Sequence, residues 1–208
     1  MPKVKVKRAS TTIDMTAMCD VSFLLLTFFI LTATARAPEP LPVDTPASVT
    51  QVKVPDTDLG TITVGDEGKV FFGVKDRFVR ARMLELMSES YATSFTDQEK
   101  ARFSLIETFG VPMGNLKQLI ALDAGAQTQP GLQPGIPLDS TEALSNELYH
   151  WIYSARVATK ELHNVEMRVS IKGDADEKYP AIRKVMDVLQ SQQVNKFSLI
   201  TSLKNTVE

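Results

Sequence analysis

Met15-Thr-Ala-Met-Cys-Asp20-Val-Ser-Phe-Leu-Leu-Leu-Thr-Phe-Phe-Ile-Leu-Thr-Ala-Thr-Ala35 is a run of 21 residues whose only charged side chain is Asp20. At about 1.5 Å per residue a helix over this run is about 31 Å long, close to the thickness of a bilayer's hydrocarbon core. Lys3, Lys5, Lys7 and Arg8 put +4 into the first twelve residues with no acid, and the far side opens with Arg36 among prolines. By the positive-inside rule the N-terminus is expected in the cytoplasm and the remainder of the chain on the exported side. A cleavable signal peptide is the competing reading, with Val21–Leu31 as its apolar core and Ala33-Thr-Ala35 as its cleavage site. Asp14 and Asp20 oppose it, because the charged start of a signal peptide is basic and here acids stand at the edge of the apolar run and inside it.

Asp20 is the residue that asks for an explanation. A carboxylate inside a span costs about 2.5–3.5 kcal/mol to insert, and such groups usually face a protein interior, a water path or a proton relay. Burial raises an aspartate's pKa, so the group can be protonated in one environment and ionised in another. Thr16 stands at i−4, Thr27 at i+7 and Thr34 at i+14, a polar stripe on one face of a helix otherwise made of Phe and Leu. The stripe points to packing against other helices. A single helix offers one wall of an ion path, so a polytopic partner is implied. Cys19 is read as a small apolar residue.

Composition removes other classes. One cysteine excludes a disulfide framework and a cysteine zinc cluster, and two histidines thirteen residues apart leave little for a His metal site. With the basic arm set aside the rest of the chain carries −6, unlike a nucleic-acid binder. A mean hydropathy of −0.06 excludes a polytopic membrane protein. No repeat, Gly-rich phosphate loop or Ser/His/Asp order is present, so no enzymatic activity, cofactor or metal is expected.

Beyond the span, residues 36–58 hold Pro38, Pro40, Pro42, Pro46 and Pro55 and read as a semi-rigid linker. Alternation over 61–74 predicts a hairpin. Helical spacing predicts helices over Arg77–Tyr91, Ser140–Thr159 and Pro180–Ser191. Val165–Ile171 reads as a half-buried strand and Lys196–Thr201 as a last one. These elements predict a small α+β domain over 59–208, one sheet with helices on one face. Residues 92–140 interrupt it as a helical insertion. Thr96-Asp-Gln-Glu99 is a capping-box pattern before Phe103, Ile106 and Phe109, with Gly110 and Pro112 ending that helix. A second short helix is expected over Gly114–Asp123 and a flexible segment over Gln127–Pro137. In Lys172-Gly-Asp-Ala-Asp176 the expectation is a turn at Gly173 and a helix cap at Asp174 or Asp176, rather than a cation site. His150 and Trp151 read as packing residues.

From the residues alone three functions stay open: a proton-channel and force-transducing subunit, a membrane-anchored binding module of the cell envelope or wall whose helix only anchors, and a secreted protein. The stretch Asp14-Met-Thr-Ala-Met-Cys-Asp20-Val-Ser-Phe-Leu-Leu-Leu-Thr-Phe-Phe29 resembles the signature D-M-T-P-M-x-D-V-x-F-x-L-L-x-F-F of the ExbD/TolR family of biopolymer-transport proteins, closest to ExbD, with Ala17 where the family usually has Pro. The turn at 172–176 is also similar. The resemblance covers about 1–91 and 140–208. It implies a basic cytoplasmic arm (1–12), a transmembrane helix (13–35) in the bacterial inner membrane, a linker (36–58) and a periplasmic domain (59–208). It implies Asp20 as the proton-carrying residue, a homodimer of such helices inside a polytopic ExbB/TolQ-type pentamer, and TonB- or TolA-like proteins as recipients of the motion. The function it implies is use of the proton motive force to energise TonB-dependent outer-membrane transport.

Overall fold

In the computed structural model, which describes residues 15–33, 39–48, 57–65, 68–129, 131–138, 146–175, 177, 179–200 and 202–203, the chain divides into two units, residues 1–38 and 39–208. The first contributes one helix, α1 (Met15–Thr32). In the second, β1 (Ala47–Ser48) precedes the expected hairpin of β2 (Leu59–Gly65) and β3 (Lys69–Val74). Then come α2 (Arg77–Ser90), α3 (Asp97–Phe103), β4 (Thr108–Phe109), a 3-10 turn at Met113–Asn115, α4 (Leu116–Ala121) and α5 (Ala124–Gln127). The chain continues through α6 (Glu147–His163), β5 (Arg168–Gly173), α7 (Tyr179–Ser191), β6 (Phe197–Ile200) and β7 (Ser202–Leu203).

The main sheet has the order β4-β3-β2-β5-β6, and β1 pairs separately with β7. β3 runs antiparallel to β2 and β4, whereas β2, β5 and β6 are parallel. A strand's side chains alternate between faces. Ile62, Val64, Val70, Phe72, Val169 and Ile171 form the floor of the core, under Val79, Met83 and Met87 of α2, Leu148, Trp151 and Ile152 of α6, and Val185 and Leu189 of α7. The opposite face carries Thr61, Thr63, Ser170 and Lys172 beside a buried Phe71. Thr61 and Ser170, register partners on β2 and β5, share a hydroxyl hydrogen bond of 3.2 Å. A cleft of about 360 Å³ opens there, lined by Thr61, Thr63, Thr108 and Lys172 among others. This is the expected architecture of one sheet carrying its helices on one side.

The helix over Ser140–Thr159 is shifted toward the C-terminus. Asn146 takes an extended backbone (φ −80°, ψ 122°), and its side chain accepts from the Leu148 N–H, so the helix starts at Glu147. It ends only at Asn164, whose left-handed backbone (φ 55°) closes the last turn. Residues 139–145 lie outside the described residues. That late end displaces the following strand, which covers 168–173 instead of 165–171 and leaves Val165 half exposed. Gly173 is the last residue of β5, not a turn. A Cβ there would stand 3.3 Å from Ile182 Cδ1, so close approach of α7 is what its small size serves. The strand expected as the last one, over Lys196–Thr201, covers Phe197–Ile200 as β6, and the short β7 follows it; Thr201 and Asp176 lie outside the described residues.

The insertion departs furthest from the sequence reading. The capping box forms, Thr96 accepting from Glu99 N–H while the Glu99 carboxylate accepts from Thr96 N–H. The helix it starts stops at Phe103, so Ile106 and Phe109 are not on it. The cause is Arg80, 4 % exposed, whose Nε and Nη2 donate to Ser104 O (2.9 and 2.6 Å) while Nη1 donates to Val74 O and Lys75 O (2.5 and 2.9 Å). Burial pushes this guanidinium's pKa down, with Glu107 and Asp76 opposing. The tie fixes the chain after α3 at the edge of β3, and Thr108–Phe109 add to the sheet there. In the segment read as flexible, 127–137, the residues Gln133, Gly135 and Ile136 are held in place. Gly110 N–H donates to Gln133 Oε1 (2.6 Å), Gly135 N–H to Gly110 O (2.7 Å) and Ile136 N–H to Val70 O (2.8 Å). At Gly110 a Cβ would fall 2.4 Å from the Phe71 ring, so only glycine fits.

The insertion is therefore part of the core. Phe109 meets Trp151 edge-on at 4.7 Å and Phe72 at 6.4 Å, and Phe103 stacks on Trp151 at 6.0 Å. Trp151 is fully buried and its indole donates to Glu147 Oε1 (3.3 Å), in line with a packing role. Part of the segment read as a linker also lies on this unit. Pro40 and Leu41 are buried, Lys172 pairs with Glu39 (2.5 Å), and Ala175 N–H donates to Asp44 O (2.8 Å).

Phe109→Ala removes the ring that joins insertion, sheet and α6, and is expected to cost about 3–5 kcal/mol. Urea unfolding followed by Trp151 fluorescence measures it. A second expectation concerns Glu147, whose carboxylate also accepts from Met113 N–H (2.6 Å). Burial pushes its pKa above the ordinary 4.5, against smaller opposing effects of the Trp151 and Met113 hydrogen bonds and of His150. The native state then holds this proton more tightly than the unfolded chain does. Its contribution is full at low pH and is lost as pH rises through the raised value. Glu147→Gln keeps the accepting oxygen without the buried charge. Its melting temperature is expected to exceed the parent's at pH 7, with the gap closing as pH falls below about 4.5, the group's usual value.

Candidate functional site: the apolar helix and its carboxylate

Between Met15 and Thr32 there is no Gly or Pro, and Met, Leu, Ala and Phe fill most positions, so nothing interrupts a helix. Its 18 residues make a rod about 27 Å long. Its mean hydropathy is 1.9 and no residue in it is buried by the rest of the chain, so Phe23 and Phe29 are each 64 % exposed. A continuous apolar surface of this size needs a lipid or protein environment.

In such an environment every polar group needs a partner. Three hydroxyls find theirs inside the helix: Ser22 donates to Met18 O (2.8 Å), Thr27 to Leu24 O (3.0 Å) and Thr32 to Phe28 O (2.7 Å). Ser22 and Thr32 are polar residues that the stripe did not include, and their back-bonding is what a Ser or Thr in a helix does when apolar surroundings leave it no other acceptor. Asp20 differs. It is exposed, about 7.5 Å along the helix from Met15. Its carboxylate has no hydrogen-bond or ion-pair partner among the described residues. At about 100° per residue Thr16 and Thr27 fall within about 40° of Asp20 around the axis, so these three expected site residues share one face. Thr34, the fourth, lies outside the described residues, as does Asp14. The structure holds Asp20 where a chemical partner or a proton has to come from outside the helix.

Among the described residues no group of three or more His, Cys, Asp or Glu could hold a metal ion. His163 is flanked by Asp58 on one ring nitrogen and Asp76 on the other (3.5 Å), which ties the start of β2 to the N-cap of α2.

Searches of curated proteins and of solved structures return no match. The family model described as Biopolymer transport protein ExbD/TolR matches residues 6–204, nearly the whole chain and including the insertion. That match, the single apolar helix and the mixed sheet that follows it agree with a single-pass inner-membrane protein with an energy-transducing role in biopolymer transport. The chain belongs to the ExbD/TolR family.

Proposed function

We propose that this protein is the proton-channel and force-transducing subunit of an inner-membrane motor that uses the proton motive force to energise TonB-dependent outer-membrane transport. The observation that carries the reading is Asp20: a carboxylate in an otherwise apolar helix, without a partner in its own chain among the described residues, in a helix whose hydroxyls at 22, 27 and 32 are satisfied internally. Asp20 carries the proton. Thr16, Thr27 and Thr34 line the face that packs toward the pore. The family works in general with ExbB/TolQ-type and TonB/TolA-type proteins. Here a polytopic pentamer supplies the second wall of the proton path, a second copy of this chain shares the pore, and the C-terminal domain passes the motion to a TonB- or TolA-like protein. The N-terminus lies in the cytoplasm and the domain in the periplasm. No enzymatic step is required of the chain.

The TolR-like alternative, a membrane-anchored periplasmic module serving the envelope or cell wall without proton conduction, keeps the same topology and gives Asp20 no task. Asp20→Asn separates the two, because asparagine keeps size and hydrogen bonding but releases no proton. Transport by cells carrying it is expected to fall to background, with expression and co-purification of the polytopic partner unchanged. Asp14→Asn, nearer the membrane edge, is expected to be tolerated better. Normal transport by Asp20→Asn would leave the anchor reading in its place.

Topology is tested independently. A periplasm-dependent reporter fused after Glu208 is expected to be active, and the mature chain to begin at Met1 or Pro2. A mature start at Arg36 would convert the span into a signal peptide and overturn the motor reading.

A further inference from the structure

With the +4 arm set aside the chain is acidic, −6 over residues 13–208, yet one groove of the C-terminal domain is basic. A cleft of about 920 Å³ between the α6–β5 and α7–β6 connections is lined by Arg156, Arg168 and Lys196 among apolar Val165, Met167 and Phe197. It adjoins a smaller cleft of about 130 Å³ that carries Tyr153 and Lys160 and shares Arg156 with it. Glu166 is the one carboxylate among the described lining residues of both. Neither it nor the side chains of Arg168, Lys196 and Lys160 has a hydrogen-bond or ion-pair partner among the described residues.

Arg156 is built in, not merely exposed. Its Nη1 donates to Gln192 O (3.2 Å) and to Gln192 Oε1 (3.4 Å). Gln192 is 7 % exposed and its own Nε2 donates to Tyr149 O (2.7 Å). Tyr149 in turn stacks on Tyr153 at 6.5 Å with planes 7° apart. One side of the guanidinium is thus held by a buried amide. Nε and Nη2 have no partner among the described residues, and they form the planar fork that matches a carboxylate in two parallel hydrogen bonds.

We propose that this groove docks a short acidic segment of a partner polypeptide, one carboxylate seated on the Arg156 fork, others near Arg168 and Lys196, and intervening apolar side chains against Val165, Met167 and Phe197. Charge complementarity selects the occupant. The groove is a local cationic surface on an acidic chain, so a short segment matches it while a long polyanion meets repulsion beyond its ends. The apolar floor favours a peptide that alternates carboxylate and aliphatic side chains. The inference adds a partner contact to the motor reading and does not depend on proton conduction.

The test uses the full chain in nanodiscs and a labelled eight-residue peptide alternating Glu and Val, with the Gln–Val peptide as control, read by fluorescence anisotropy. The Glu peptide is expected to bind at least about tenfold tighter than the control, and more weakly as salt rises from about 50 to about 500 mM. Arg156→Glu is expected to weaken it by about tenfold or more. Because Arg156 touches Gln192, the double variant Arg168→Glu/Lys196→Glu, whose side chains support nothing else among the described residues, is expected to weaken it as well. Equal binding of the two peptides, or undiminished binding by the double variant, would overturn the proposal. Tighter binding of tripolyphosphate than of the Glu peptide would overturn it too, as the mark of a general anion site. Asp20→Asn is expected to bind the peptide normally, so a failure here and a failure of the motor reading give different results.

Discussion

A carboxylate in an apolar helix has two ways to exist: neutral, holding a proton, or charged, facing water or a partner. Asp20 stands under that constraint, and the organisation of the membrane segment follows from it. The hydroxyls at 22, 27 and 32 are bonded to carbonyls one turn back, whereas the Asp20 carboxylate has no partner among the described residues. In the proposed role the exception is the working part. The membrane potential is worth about 2.3 kcal/mol per elementary charge per 100 mV. A group that accepts a proton from one side and releases it to the other couples that energy to whatever its change of charge moves. Away from the face shared by Asp20, Thr16 and Thr27 the helix is largely Phe and Leu, a surface for neighbouring helices and lipid.

In the proposed role the C-terminal domain has to stay folded while it transmits force. Its central parallel pair β2 and β5 is shielded by α2, α6 and α7 on one face. The insertion closes the β3 edge with β4 and plants Phe103 and Phe109 against Trp151. Arg80 binds the two parts through backbone carbonyls alone, so this tie depends on position and not on a matching acid. Residues 39–44, where the chain enters the domain, lie on it through Glu39, Leu41 and Asp44.

Much of this was legible in the sequence, and the reasons for the rest are physical. The hairpin and α2 carry strong local patterns of period 2 and 3.6, and they appear within a residue or two of their expected limits; α1 lies inside the expected span, whose ends at 13–14 and 34–35 are outside the described residues. The boundaries of α6 moved because Asn146 and Asn164, unremarkable as letters, act as caps only through backbone angles. The insertion misled because Ile106 and Phe109 sit at helical spacing from Phe103. The chain leaves the helix at Ser104 for a reason 24 residues upstream, a buried arginine that no local window contains. The 127–137 segment looked loose for its prolines and glycines, yet its backbone donors and a buried Gln133 find acceptors and donors across the fold. At the site, Asp20, Thr16 and Thr27 could be placed on one face by arithmetic. Arg156 drew no notice, because its fork is set by Gln192, 36 residues on.

The most direct measurement is proton flux into vesicles holding this chain together with its polytopic partner, at an imposed potential, compared between the parent and Asp20→Asn. The expected result is a potential-driven acidification that the substitution removes while both proteins remain together in the membrane. Equal flux in the two preparations would contradict the account.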